Sequence, residues 1–167
     1  MIAGLGLIQP GRATAQTFTS LYYFTNGTDG AYPWCGLVLS GNTLYGTTMR
    51  GGSGSVGTVF AHSTNGSNFT NLYPFTLEGG CEPNAGLILS GGTLYGTVYD
   101  GNKVFAISTN GMGFTNLYDF TNGNDGYFPN AGLILSSNTL YGTAQGGGYY
   151  SQGTVFAVTT NGTGWHF

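Results

Sequence analysis

Apolar side chains along this chain arrive in short bursts that recur in a fixed order. The first burst is "FTSLYYF" from Phe18 to Phe24, repeated as "FTNLYPF" from Phe69 and "FTNLYDF" from Phe114. The second is "GLVLS" at Gly36, returning as "GLILS" at Gly86 and Gly132. The third, "LYGT", spans Leu44 to Thr47, Leu94 to Thr97 and Leu140 to Thr143. The fourth is "GTVFAHSTNG" at Gly57, "NKVFAISTNG" at Asn102 and "GTVFAVTTNG" at Gly153. Each block is rich in Val, Ile, Leu, Phe, Tyr and Thr and is bounded by Gly, Asn or Pro, which predicts a strand. No window holds a helical period, so the chain is expected to be all-β.

The linkers predict how the strands pair. "SGN", "SGG" and "SSN" join the second block to the third, and "TNG" leads from the fourth block into the next first block. These are tight hairpin signals. The stretch between the third and fourth blocks is Gly-rich and differs in length among the units, as a surface loop would. Within the strands both faces are apolar. In "GTVFAVTT", Val155 and Ala157 point one way, Phe156 and Val158 the other. A sheet with one wet face would alternate more cleanly. The expectation is a tandem array of four-stranded antiparallel sheets, stacked face to face like β-propeller blades. Cut at the first block, the units are 18–68, 69–113 and 114–164, with the start of a fourth at 165–167, and 16–167 forms a single repeat domain.

The pattern "AGLILS.NTLYGT…GG…GTVFAV.TNG..FTNLY.F" resembles the GloVer tandem repeat, found in secreted bacterial proteins. The resemblance covers Phe18 to Phe167. It implies a propeller-like fold and an extracellular, cell-surface location. It implies no reaction and carries over no catalytic residue. Propellers typically close with 4 to 8 blades, and three complete units fall short of that.

Composition narrows the chemistry. Charged residues are 5% of the 167, and the basic residues are Arg12, Arg50 and Lys103 alone. Nucleic-acid surfaces neutralise phosphates with many Lys and Arg side chains, so that class is excluded. No apolar run approaches the roughly 20 residues of a membrane-spanning helix. Residues 1–15 read as a signal-peptide-like segment or an apolar N-terminal arm, with the run Ile2 to Ile8 and the small-x-small triplet Ala13-Thr14-Ala15.

Candidate chemistry is thin. His62 stands where the other units have Ile107 and Val158, as a strand residue would. None of the six carboxylates is singled out, no nucleophile motif sits between a strand and a helix, and no catalytic residue, cofactor or enzyme activity is expected. "TNGTDG" and "TNGNDG" place Asp29 and Asp125 among oxygen-bearing side chains. They read as turns, with calcium as the alternative. Cys35 and Cys81 lie near Pro33 and Pro83 and are candidates for one disulfide or for two free thiols. Tyr45, Tyr95 and Tyr141 recur at one position, as core residues or as platforms for stacking on a sugar.

The reading that follows is a non-enzymatic extracellular repeat protein that self-associates head-to-tail, as a ring or a filament, because three stacked sheets leave two apolar ends. The partner is then a copy of itself. The alternative is a secreted carbohydrate-binding, lectin-like propeller module whose partners are surface glycans.

Overall fold

The computed structural model describes residues 17–78 and 80–163. The N-terminal stretch 1–15 and the partial unit Trp165 to Phe167 lie outside them. The described chain is all-β, with eleven strands in three antiparallel sheets. Sheet 1 contains β1 (Val38–Ser40), β2 (Thr43–Thr48), β3 (Thr58–Ser63) and β4 (Phe69–Pro74) in sequence order. Sheet 2 repeats this with β5 (Ile88–Ser90), β6 (Thr93–Val98), β7 (Lys103–Ser108) and β8 (Thr115–Asp119). Sheet 3 holds β9 (Ile134–Ser136), β10 (Thr139–Ala144) and β11 (Thr154–Thr159).

Strands and hairpins fall where the blocks and linkers put them. Ser40 pairs with Thr43, Ser90 with Thr93 and Ser136 with Thr139, so each "SGN"-type linker is a two-residue turn. Gly91 and Gly92 both take positive φ, the backbone that such a turn needs. The sheets are out of phase with units cut at the first block. That block is the outer strand of the sheet begun by the preceding unit, as β4 and β8 show.

The "LYGT" glycine has a packing reason. Gly46, Gly96 and Gly142 pair across the sheet with Phe60, Phe105 and Phe156. A Cβ on Gly96 would lie 2.7 Å from Phe105 Cζ and 2.8 Å from Leu87 Cδ2, and Gly46 and Gly142 meet the equivalent Phe and Leu. The missing side chain is where the phenylalanine ring lies.

The sheets pack through two cores. Tyr45, Val59 and Ala61 of sheet 1 meet Leu87, Leu94, Phe105 and Ile107 around sheet 2. Tyr95, Val104 and Ala106 of sheet 2 meet Leu133, Leu140 and Val158 around sheet 3. One face of each sheet, here called the front, carries the Leu94 and Ile107 positions. The other, the rear, carries the Tyr45 and Val59 positions. Sheet 2 is covered on both faces, which is why its strands are apolar on both. Val59 and Val104 pair with Tyr73 and Tyr118, and the next residues, Phe60 and Phe105, pair with Asn71 and Asn116. Leu72 and Leu117 are thereby the extra residues of β-bulges. A bulge bends its strand. Beyond it Tyr73 and Phe75 reach the next sheet, Tyr73 stacking on Phe114 at 3.9 Å and Phe75 meeting Phe105 edge-on at 5.4 Å.

Candidate interaction surfaces

The two ends of the stack leave apolar surface bare. At the rear of sheet 3, Val155 is 82% exposed, whereas Val59 and Val104 at the same repeat position are 0% exposed. Ile134 is exposed beside it. At the front of sheet 1, Leu37 is 54% exposed, against 7% and 4% for its counterparts Leu87 and Leu133. Leu39 is exposed too. A groove of about 290 Å³ opens on this front face, lined by Leu21, Tyr22, Leu37, Leu44, Phe60 and His62 among others. Each end thus shows the positions that an adjoining sheet buries elsewhere in the chain.

The repeated tyrosine belongs to this pattern. Tyr45 and Tyr95 are 8% exposed and sit in the inter-sheet cores, the core placement of the two readings. Tyr141 is 39% exposed because no sheet among the described residues lies behind it.

Asp29 and Asp125 organise turns. Asp29 accepts from the Tyr22 hydroxyl (3.1 Å), the Thr25 amide (2.8 Å), the Thr25 hydroxyl (2.7 Å) and the Gly27 amide (3.1 Å). Asp125 repeats the set with the Tyr118 hydroxyl, Thr121 amide and hydroxyl, and Gly123 amide. The carboxylate is committed to donors that pin the loop to the strand before it. Among the described residues no group of three His, Cys, Asp or Glu side chains could hold a metal ion. Burial pushes the Asp125 carboxyl up, but the bonds from Tyr118, Thr121 and Gly123 outweigh it and hold the value at about 2. Asp29 is lowered in the same way. The ionised form is therefore favoured by folding. Its contribution is fully present above the unfolded carboxylate value of about 3.9 and is lost as pH falls toward 2. Thermal unfolding should show the midpoint dropping between about pH 4 and pH 2. Asp125→Asn should lower the midpoint at pH 7 and flatten that drop. A wild-type midpoint unchanged down to pH 2 would contradict this assignment.

Of the two readings for the cysteines, the structure has the free thiols: Cys35 and Cys81 are not bridged. They do not hold equivalent positions. Cys35 occupies the place of Ala85 and Ala131, and its Sγ lies 2.8 Å from Thr47 Oγ1. Cys81 occupies the place of Ala31 and Tyr127, and its thiol donates to Asp100 at 3.1 Å. Burial first, then the bond to Asp100 and the charges of Asp100 and Glu82, push Cys81 up to about 11. Since the thiolate is the nucleophile, alkylation of Cys81 at pH 7.5 should run about two orders of magnitude slower than that of a free cysteine. Mass spectrometry of iodoacetamide labelling checks this, and a rate like that of free cysteine would contradict it.

Two ion pairs are structural. Arg50 pairs with Glu82 across the sheet 1–sheet 2 junction, and Lys103 pairs with Asp119 across β7 and β8. His62 is buried, with Nδ1 2.7 Å from the Asn68 carbonyl and Nε2 3.3 Å from the Leu21 carbonyl. It is a strand residue held between two backbone carbonyls, with no nucleophile among its hydrogen-bond partners. Sequence reasoning missed the part Leu21 and Tyr22 play here. They close over His62, and Tyr22 stacks on Phe69 at 4.2 Å.

A scan of protein-family models finds no match, and a search of curated proteins finds none either. Solved structures do match. One is a crystal structure of a nidogen/laminin complex, with a TM-score of 0.56, 16% identity, and coverage of 75% of this chain and 43% of that one. Another is a europium-containing methanol dehydrogenase, with a TM-score of 0.56, 17% identity, and coverage of 84% of this chain and 25% of that one. The architecture is propeller-type. Both neighbours are propeller-type proteins, and at these identities the likeness shows the fold alone. The chain spans less than half the length of either structure. Its three sheets do not close a ring.

Proposed function

We propose that the protein is a non-enzymatic structural module that works by stacking. The rear face of sheet 3 in one copy seats on the front face of sheet 1 in the next, head-to-tail, at an extracellular surface. The observation that carries this is the contrast at one repeat position, where Val59 and Val104 are buried by the following sheet and Val155 is bare. The front face complements it, because Leu37 and Leu44 hold the positions that receive such a valine inside the chain. The contact is heterologous, so it propagates as a filament or closes as a ring of several copies. With charged residues at 5%, little electrostatic repulsion opposes it. The resemblance to the GloVer repeat supports the extracellular setting.

Sedimentation velocity of the purified chain is the test. Assembly beyond the monomer at about tens of micromolar is expected, a range in which specific contacts hold. A stable monomer there overturns the reading. Reproducible binding on a glycan array, lost in Tyr141→Ala, would replace it with the carbohydrate-binding alternative.

A further inference from the structure

We propose that His62 is a proton-operated latch that ties the segment Phe18–Phe24 to the front face of sheet 1. The inference goes beyond the stacking reading and does not depend on it, because every group it uses lies within one copy.

The latch follows from what faces the imidazole. Nδ1 lies 2.7 Å from the Asn68 carbonyl oxygen, and Nε2 lies 3.3 Å from the Leu21 carbonyl oxygen. Both oxygens can only accept. A neutral imidazole carries one N–H, and only the imidazolium donates from both nitrogens. The neutral ring must therefore set a bare lone pair against one of the two oxygens. The closer contact tolerates that least, so the neutral ring keeps its proton on Nδ1 and gives up the bond to Leu21. Protonation restores it. The bonded state takes up a proton, so it is favoured as pH falls and lost as pH rises. Histidine is the side chain that changes charge between about pH 5 and pH 8.

The arrangement is particular to this junction. The carbonyl oxygens of Leu21, Leu72 and Leu117 each lie beside a hairpin glycine of the sheet in front, Gly66, Gly111 and Gly162. At the His62 position sheets 2 and 3 carry Ile107 and Val158, both buried, and neither side chain can donate to such a carbonyl. The other ties between the segment and sheet 1 are ring contacts. Tyr22 stacks on Phe69 at 4.2 Å, and Phe24 meets Phe60 edge-on at 5.2 Å. Leu21, Tyr22 and Phe24 line the front groove together with Leu37, Leu44 and Phe60 of sheet 1 and its leading loop. The proton on Nε2 thus sets how firmly one side of that groove is held.

Few other titratable groups face the ring. β2 and β4 set Leu44 and Phe69 opposite His62 and add none. The groove adds Tyr22 from the segment and Cys35 from the loop before β1. Burial, then the bond to Asp29, push the Tyr22 hydroxyl up, so it keeps its proton. Asp29 reaches the site through that hydroxyl and is held below the ordinary carboxylate value, so it stays ionised.

NMR of the isotope-labelled full chain, titrated from about pH 8 to about pH 5, tests the latch. His62 should pass from one ring N–H to two. The Tyr22 ring signals should move upfield with the same midpoint, as the ring settles against Phe69. His62→Ile installs the residue that sheet 2 carries at this place and should abolish the Tyr22 transition. A Tyr22 that stays still while His62 takes up its proton overturns the latch. So does a Tyr22 transition that survives in His62→Ile, or a His62 ring that remains neutral down to the end of the titration. If the variant fails to fold, the wild-type chain decides: coincident midpoints support the latch, and separate ones overturn it.

Discussion

Val104→Asp is expected to unfold the chain, and Val155→Asp to leave it folded but monomeric, although the two valines hold the same place in the repeat. Val104 is 0% exposed between sheets 2 and 3. An aspartate there buries a carboxylate with no partner, or protonates to avoid it, and either costs several kcal/mol. Against a usual stability of about 5–15 kcal/mol that is enough to collapse the native population. Val155 is 82% exposed, so its replacement costs a single chain almost nothing. In the proposed assembly it meets the front face of another copy, and the carboxylate then suffers the penalty that Val104→Asp suffers within one chain. Circular dichroism and sedimentation on the two variants read this out. An unfolded Val155→Asp, or one that still assembles, would contradict it.

The second large effect lies at the glycine–phenylalanine pair. Phe105 is fully buried, meets Phe75 edge-on, stacks near Phe114 and covers Gly96. Phe105→Ala should cost about 3–5 kcal/mol, as emptying such a site usually does. Gly96→Ala should cost about 1–3 kcal/mol for the opposite reason, since the new methyl collides with Phe105 and Leu87. The two are coupled. In the Phe105→Ala background the ring is gone, so adding Gly96→Ala should cost clearly less than it does alone. Urea unfolding of the four proteins of this cycle measures the difference. Equal costs in both backgrounds would show that the glycine serves some other purpose.

Much of this architecture is legible along the sequence because it is built from local signals. The blocks, the two-residue turns and the two-faced apolar strands each follow from neighbouring residues, and the expected all-β, propeller-type sheets are what the chain forms. Other features depend on contacts that spacing does not reveal. Asp29 looks like a residue of a polar turn, but Tyr22, which reaches its carboxylate, sits seven positions back on the preceding segment. The cysteines look paired because each lies near a proline. Alignment to the other units separates them, since Cys35 matches Ala85 and Cys81 matches Ala31. Phe18–Phe24 has the sequence of a strand and is not one. A strand takes its hydrogen bonds from a neighbouring edge, and none of the described residues offers that edge. The candidate interaction surfaces were legible only as a deduction from the repeat: a position buried in two sheets and bare in a third leaves an uncovered face.

Mixing two blocked variants tests the head-to-tail account most directly. Leu37→Asp blocks the front face and keeps the rear, while Val155→Asp blocks the rear and keeps the front. Each alone should sediment as a monomer at a concentration where the wild-type chain assembles. Mixed in equal amounts, they should form a one-to-one dimer and nothing larger, because only one productive contact remains. Dimers of either variant alone, or a mixture that stays monomeric while the wild type assembles, would contradict the account.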